Sequence, residues 1–125
     1  MIDRESRPVH IFADGKAGAR ILLDESSVPG LKEVALSELV ILPGAKMPQH
    51  SHDKAAEVIY ILSGRGSMVL DKKRSMVRAG MAIYIPAGMA HSFSLETKVE
   101  PMRVLQVYTP GGPEQRFRKG RQVKE

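Results

Sequence analysis

The sequence predicts an all-β domain, a sandwich or barrel of short strands. Three observations carry that expectation: the apolar runs are short, glycine and proline break them at regular intervals, and no stretch shows the period of an amphipathic helix. With 125 residues, 42% of them hydrophobic, the chain fits one domain around one core. Its expected parts are N-terminal edge strands over about residues 1–32, a barrel over about 33–110 and a basic tail over about 111–125.

Val9–Phe12 and Arg20–Leu23 come first, in a less regular stretch that reads as edge strands wrapping the barrel. Glu33–Leu42 follows and stops at Pro43-Gly44, and Glu57–Leu62 stops at Ser63-Gly64. Gly66–Leu70 and Arg74–Arg78 flank the reversal Asp71-Lys72-Lys73. Ala82–Ile85 lies between Ala79-Gly80 and Pro86-Ala87-Gly88, and His91–Leu95 and Met102–Tyr108 complete the set. Each break supplies the fixed φ of proline or the permissive backbone of glycine that tight reversals require. There is no internal repeat, low-complexity segment or interdomain linker.

The chain has no cysteine, which excludes disulfides, thiolate ligands and cysteine nucleophiles, so any metal must take N and O ligands. Met1 to Val9 is polar without an apolar core, and no apolar run approaches the ~20 residues of a membrane span. The expectation is a soluble cytoplasmic protein with no membrane partner. The net charge of +5 is concentrated toward the C-terminus at Arg116, Arg118, Lys119, Arg121 and Lys124. Gln115, Phe117 and Gly120 interrupt that run, and no helix-turn-helix or aromatic platform accompanies it. A solvated, partly disordered terminus is therefore expected rather than a nucleic-acid surface, its charge aiding solubility or drawing anionic substrates.

Two segments carry the chemistry: Gly44, His50, His52, Glu57 and Gly64, then Gly80, Pro86, Gly88 and His91. Histidines separated by one residue point the same way on an extended strand, and Glu57 stands where the next strand would begin. Three imidazoles and one carboxylate suit Mn, Fe, Co, Ni, Cu or Zn better than Ca or Mg, and strand-borne ligands leave positions open as a catalytic site requires. A lone strand histidine is usually just a satisfied polar group. Here three of the chain's four histidines share the spacing, and the fourth, His10, reads as surface or structural.

These residues meet the spacings G-x5-H-x-H-x4-E-x6-G and G-x5-P-x-G-x2-H in full. On them the chain resembles the cupin superfamily in its small single-domain form, over roughly half its length. The resemblance implies a double-stranded β-helix or jelly-roll β-barrel, one divalent transition-metal ion (Mn, Fe, Ni, Zn, Co or Cu) on His50, His52, Glu57 and His91, and a homodimer. One departure occurs: after His91 and three intervening residues stands Leu95, where family members often carry an asparagine that is not a ligand.

Strand alternation places Ile59 and Ile61 inward with Glu57, and Phe93 and Leu95 inward with His91, giving a mostly apolar pocket. In the last strand the sequence does not choose between Leu105 and Val107 on one face and Val104, Gln106 and Tyr108 on the other. Gln106 and Tyr108 would orient a bound oxygen or donate a proton if inward, but a polar or interface-facing role is the favoured expectation. Arg103 is the nearby candidate for a substrate carboxylate, with a solvated exterior favoured for it too. Val58, Tyr60 and Leu62 alternate with Ile59 and Ile61, so both faces of that strand need cover; a homodimer through sheet-face or strand-exchange contacts is expected, with cover by the chain's own N-terminal segment as the alternative. Met47, Met81 and Met89 read as flexible core filling.

The functional expectation is a metal-dependent enzyme acting on a small organic molecule, by dioxygenase-like oxidation or by isomerisation or elimination of a sugar or keto acid. No catalytic residue is assigned beyond the metal shell, with Glu57 a possible base. The alternative is a metal-bearing module that binds or senses a small ligand without turnover, since a fold does not fix a reaction.

Overall fold

The computed structural model describes residues 1–119 and, for the backbone, 121–123. Lys124 of the basic run lies outside the described residues. The chain forms β1 (Val9–Phe12), β2 (Ala17–Leu23), β3 (Ala35–Ile41), β4 (Lys46–His50), β5 (Ala56–Ser63), β6 (Arg65–Leu70), β7 (Lys73–Arg78), β8 (Ala82–Ile85), β9 (His91–Ser94), β10 (Met102–Thr109) and β11 (Arg121–Val123). Two short 3₁₀ helices, Arg4–Ser6 and Pro113–Lys119, complete it. A seven-stranded sheet runs β11-β1-β2-β3-β10-β5-β8 and a four-stranded sheet runs β4-β9-β6-β7, both antiparallel. The architecture is the jelly-roll β-barrel that the strand pattern and the resemblance predict.

Residues that face inward from the two sheets make the core: Ile21, Leu39, Ile41, Ile61, Met68, Val77, Ile85, Met102 and Val104. Leu95 belongs to it, 3% exposed, so an apolar side chain fills the position where asparagine was the alternative. Its backbone N–H still donates to the Ala45 carbonyl at 2.9 Å, and its carbonyl accepts from the Gly44 N–H at 2.9 Å. Tight turns hold the strands in place. Gly64 has φ +87°, and a Cβ there would lie 2.9 Å from the Met102 Cα and the Pro101 carbonyl, so both conformation and contact demand glycine.

Two elements escape the sequence pattern. The segment Lys-Met-Pro-Gln-His of β4 has no apolar alternation, and it forms an edge strand whose pairing with β9 shifts register between Met47 and His50, around Pro48. The C-terminal segment corrects the expectation of a solvated tail. Phe117 is 1% exposed with its ring centroid 4.9 Å from that of Phe12, and Arg118 donates to the Asp24 carboxylate at 2.6 Å. One aromatic anchor and one ion pair, half-buried through its Asp24 carboxylate, dock an otherwise polar segment.

The N-terminal strands extend the large sheet at its β3 side, so they do not lie over the outer face of β5. Val58, Tyr60 and Leu62 are accordingly 38%, 44% and 45% exposed, beside Val40, Leu42 and Tyr84. His10 is buried rather than at the surface, which leaves the structural half of its reading. Among the described residues no helix is long and apolar enough to cross a membrane.

Candidate metal centre

The two motif segments meet at one end of the barrel. His50 closes β4 and pairs in register with His91, the first residue of β9, while Glu57 lies near the start of β5. His52 sits just beyond β4 rather than within it, and its carbonyl accepts from the Gly88 N–H at 2.8 Å, tying the first motif to the second. One ligand-type nitrogen from each of His50, His52 and His91 falls within 4.8 Å of the others. Glu57 Oε1 is 3.4 Å from His91 Nε2 and 3.6 Å from His52 Nε2.

Hydrogen bonding orients the imidazoles. His50 Nδ1 lies 2.9 Å from the Pro48 carbonyl and His91 Nδ1 lies 3.0 Å from the Met89 carbonyl. A carbonyl only accepts, so each Nδ1 carries the proton and each Nε2 turns a bare lone pair inward. His50 Nε2, His91 Nε2 and Glu57 Oε1 are buried and have no hydrogen-bond partner. Such groups cost about 1–3 kcal/mol apiece when left unsatisfied, and a shared cation would relieve all three at once. Ligands held about 2.1 Å from one ion lie about 3–4 Å from each other, the scale of the two Glu57–histidine separations here. The donor set fits a transition-metal ion.

The electrostatics agree with that use. Burial pushes the Glu57 carboxyl up, but the neighbouring His52 and His91 imidazoles and the hydrogen bond from Gln106 outweigh it and hold the group down at about 2. Burial, with the charge of Arg116 added, lowers His50 and keeps it a neutral donor. Burial also opposes the charged form of His91, yet its contact with Glu57 and its Nδ1 bond to Met89 prevail and raise it. A proton and a metal ion are alternatives for the same His91 lone pair.

β10 turns Val104, Gln106 and Tyr108 inward, which corrects the favoured expectation for the two polar residues. The strand lies between β3 and β5, so its outer residues Leu105 and Val107 are themselves half-covered and the alternation is weak in the sequence. Gln106 Nε2 donates to Glu57 Oε2 at 2.5 Å, and the Tyr108 ring stands edge-on to His52 at 5.2 Å between centroids. Burial raises the Tyr108 hydroxyl, with the Glu57 charge adding to it, so the phenol stays protonated. Arg103 is exposed on the outer face, away from the site.

The residue that sequence reasoning missed is Arg116. Its Nη1 lies 3.2 Å from His52 Nε2, and its guanidinium carbon is 4.8 Å from the Phe117 ring centroid and 5.9 Å from that of Tyr108. The available signal was Phe117, an aromatic inside a basic run, which docks the helix that carries Arg116. The guanidinium stands between two spaces. Inside is a cavity of ≈ 40 Å³ bordered by His50, Glu57, His91 and Gln106 and by apolar side chains that include Ile59, Ile61 and Phe93, as the alternation predicts. Outside is an open cleft of ≈ 430 Å³ bordered by Phe12, Ala13, Lys46, Met47, Pro48 and His52.

Comparison with known proteins points the same way. The family model described as "Cupin domain" matches residues 37–108. An uncharacterized protein of Methanocaldococcus jannaschii is 35% identical over 96 residues, 77% of this chain and 74% of that protein. Quercetin 2,3-dioxygenase of Bacillus subtilis is 35% identical over 65 residues, 50% of this chain but only 19% of the enzyme. Among solved structures, the polyketide cyclase RemF of Streptomyces resistomycificus superposes with a TM-score of 0.76 at 24% identity, covering 99% of this chain and 83% of its own. A Thermotoga maritima protein described as a predicted oxalate decarboxylase gives 0.75 at 19% identity, covering 89% and 99%. At these identities the two structures speak for the fold alone. The match of the family model over more than half the chain, on a barrel that gathers the motif histidines at one end, shows that the protein belongs to the cupin family.

Proposed function

We propose that the protein is a metal-dependent enzyme acting on a small organic molecule, with His50, His52, Glu57 and His91 holding one divalent transition-metal ion. The observation that carries this reading is the convergence of three buried, unpartnered donor atoms, His50 Nε2, His91 Nε2 and Glu57 Oε1, in one cluster with His52. Such a metal supplies Lewis acidity or, if redox-active, oxygen activation. Glu57, held at about 2, is a carboxylate at neutral pH and a poor base, which supports a ligand's role for it. Gln106 fixes the orientation of that carboxylate, and the protonated Tyr108 beside His52 is a hydrogen-bond donor rather than a base.

The reaction divides into oxidation and isomerisation or elimination, and the resident metal directs the search. With Fe or Mn, oxygen uptake is measured with small phenols, diketones and keto acids; with Zn or Ni, sugars and keto acids are screened for isomerisation and elimination. Turnover in either arm supports the enzyme reading. Saturable binding of such molecules without turnover would replace it with a binding or sensing module. We also infer a homodimer formed through the outer face of β5, because the described chain leaves Val58, Tyr60 and Leu62 38–45% exposed there. Light scattering on the size-exclusion peak at micromolar concentration would contradict it by returning the monomer's 13.8 kDa.

A further inference from the structure

Charged groups at the centre are few and unevenly distributed. Among the described residues that border the inner cavity and the outer cleft, Glu57 is the single acid, while Arg116 and Lys46 are the bases. Glu57 offsets one charge of a divalent ion, so the loaded centre keeps one positive charge of the metal and adds that of Arg116, which is permanently ionised. No carboxylate among the described residues lies within ion-pair distance of Arg116. Its polar contact is instead with His52 Nε2, at 3.2 Å.

That contact decides where the guanidinium goes. The Nε2 lone pair of His52 accepts either Arg116 Nη1 or a metal ion, and the two cations repel at that distance. A metal on His52 would turn Arg116 off the nitrogen, while its helix would keep it beside the centre and close to Phe117 and Tyr108, whose rings its guanidinium carbon approaches to 4.8 and 5.9 Å in this structure. A planar fork of donors is then presented at the mouth of the metal site with no acid to pair it.

We propose that Arg116 selects the ligand of this centre, and that the ligand is a small organic oxyanion, a carboxylate or enolate on an apolar body, with its charged oxygen between the metal and the guanidinium. The inference rests on the metal-site reading above. The sizes of the two spaces supply the rest of the description. An inner cavity of ≈ 40 Å³ has room for the charged head but not for an organic body, which extends into the cleft along Phe12, Ala13, Met47 and Pro48. Lys46 at the rim adds long-range attraction for an anion.

Isothermal titration of the metal-free protein with Zn²⁺, alone and with millimolar benzoate or benzamide, tests the proposal. Benzoate should tighten Zn²⁺ binding to the wild type by at least about tenfold relative to its neutral isostere benzamide, because a charged acceptor gains the Arg116 fork and linkage makes the coupling reciprocal. Arg116→Gln should lose most of that preference, keeping only the part due to the metal's own attraction for a carboxylate, while binding Zn²⁺ alone no more weakly than the wild type. Arg116→Lys, which keeps the charge without the fork, should keep part of it. Benzoate preference undiminished in Arg116→Gln would overturn the assignment, as would an Arg116→Gln protein whose Zn²⁺ affinity alone has fallen tenfold, since Arg116 would then be supporting the site rather than reading the ligand. Failure of the wild type to bind Zn²⁺ at all would overturn the metal reading instead, so the two failures are distinct.

Discussion

Asp24 anchors the helix that brings Arg116 to the centre, and its contribution to stability follows from its hydrogen bonds. The residue is 2% exposed. Its Oδ2 accepts from Arg118 Nη2 at 2.6 Å and Gln115 Nε2 at 2.9 Å, and its Oδ1 accepts from the Ser26 N–H at 2.9 Å and hydroxyl at 2.6 Å. Burial pushes the carboxyl up, but the bonds from Ser26, Arg118 and Gln115 prevail and lower it from 3.8 to about 2. A carboxyl depressed in the folded state stabilises the fold fully above its unfolded value, and the contribution is lost as pH falls through the folded one. At about 1.4 kcal/mol per tenfold change in proton affinity, the shift is worth roughly 2 kcal/mol at pH 7, of which about 1 kcal/mol remains at pH 3. Asp24→Asn mimics the protonated group. Urea unfolding of wild type and Asp24→Asn should therefore differ by roughly 2 kcal/mol at pH 7 and by about half that at pH 3. An equal deficit at both pH values, or none at pH 7, would show that the Asp24 charge does not clamp the C-terminal helix.

Phe117→Ala should cost about 3–5 kcal/mol in chemical unfolding, because it removes a fully buried ring against Phe12 and the core; a loss below 1 kcal/mol would mean the segment is only loosely docked. Gly64→Ala should cost about 2–4 kcal/mol, combining a left-handed backbone with a Cβ 2.9 Å from the Pro101 carbonyl and the Met102 Cα, and a thermal midpoint equal to the wild type's would contradict that geometry. Gln106→Leu frees Glu57 Oε2 and should weaken Zn²⁺ or Co²⁺ binding by about 10–100-fold in calorimetry, whereas unchanged affinity would deny Gln106 a part in holding the ligand.

The fold was legible where turn chemistry is strong. Strands β1 and β8 fall at the expected bounds, and most others within a few residues, because glycine and proline mark their ends. The clustering of His50, His52 and His91 was legible from spacing. What escaped depends on distant partners. β4 is polar and edge-bound, held by pairing with β9 rather than by a pattern of its own, and β11 is recognisable only through its pairing with β1. Gln106 and Tyr108 were ambiguous because both faces of β10 are largely apolar, which leaves period-two alternation without a preferred side. Arg116 reaches the site through the docking of Phe117 and the Arg118–Asp24 bond, tertiary contacts that a basic run does not announce.

The central claim is that the clustered donors exist to hold a metal. Elemental analysis of protein purified without added metal and without a metal-binding tag, beside a His50→Ala/His52→Ala variant, tests it most directly. The account predicts close to one equivalent of a transition metal in the wild type and far less in the variant, with both proteins folded, since the apolar strands rather than the ion build the core. Equal metal content in the two proteins, or a wild type that takes up no transition metal even when it is supplied in excess, would contradict it.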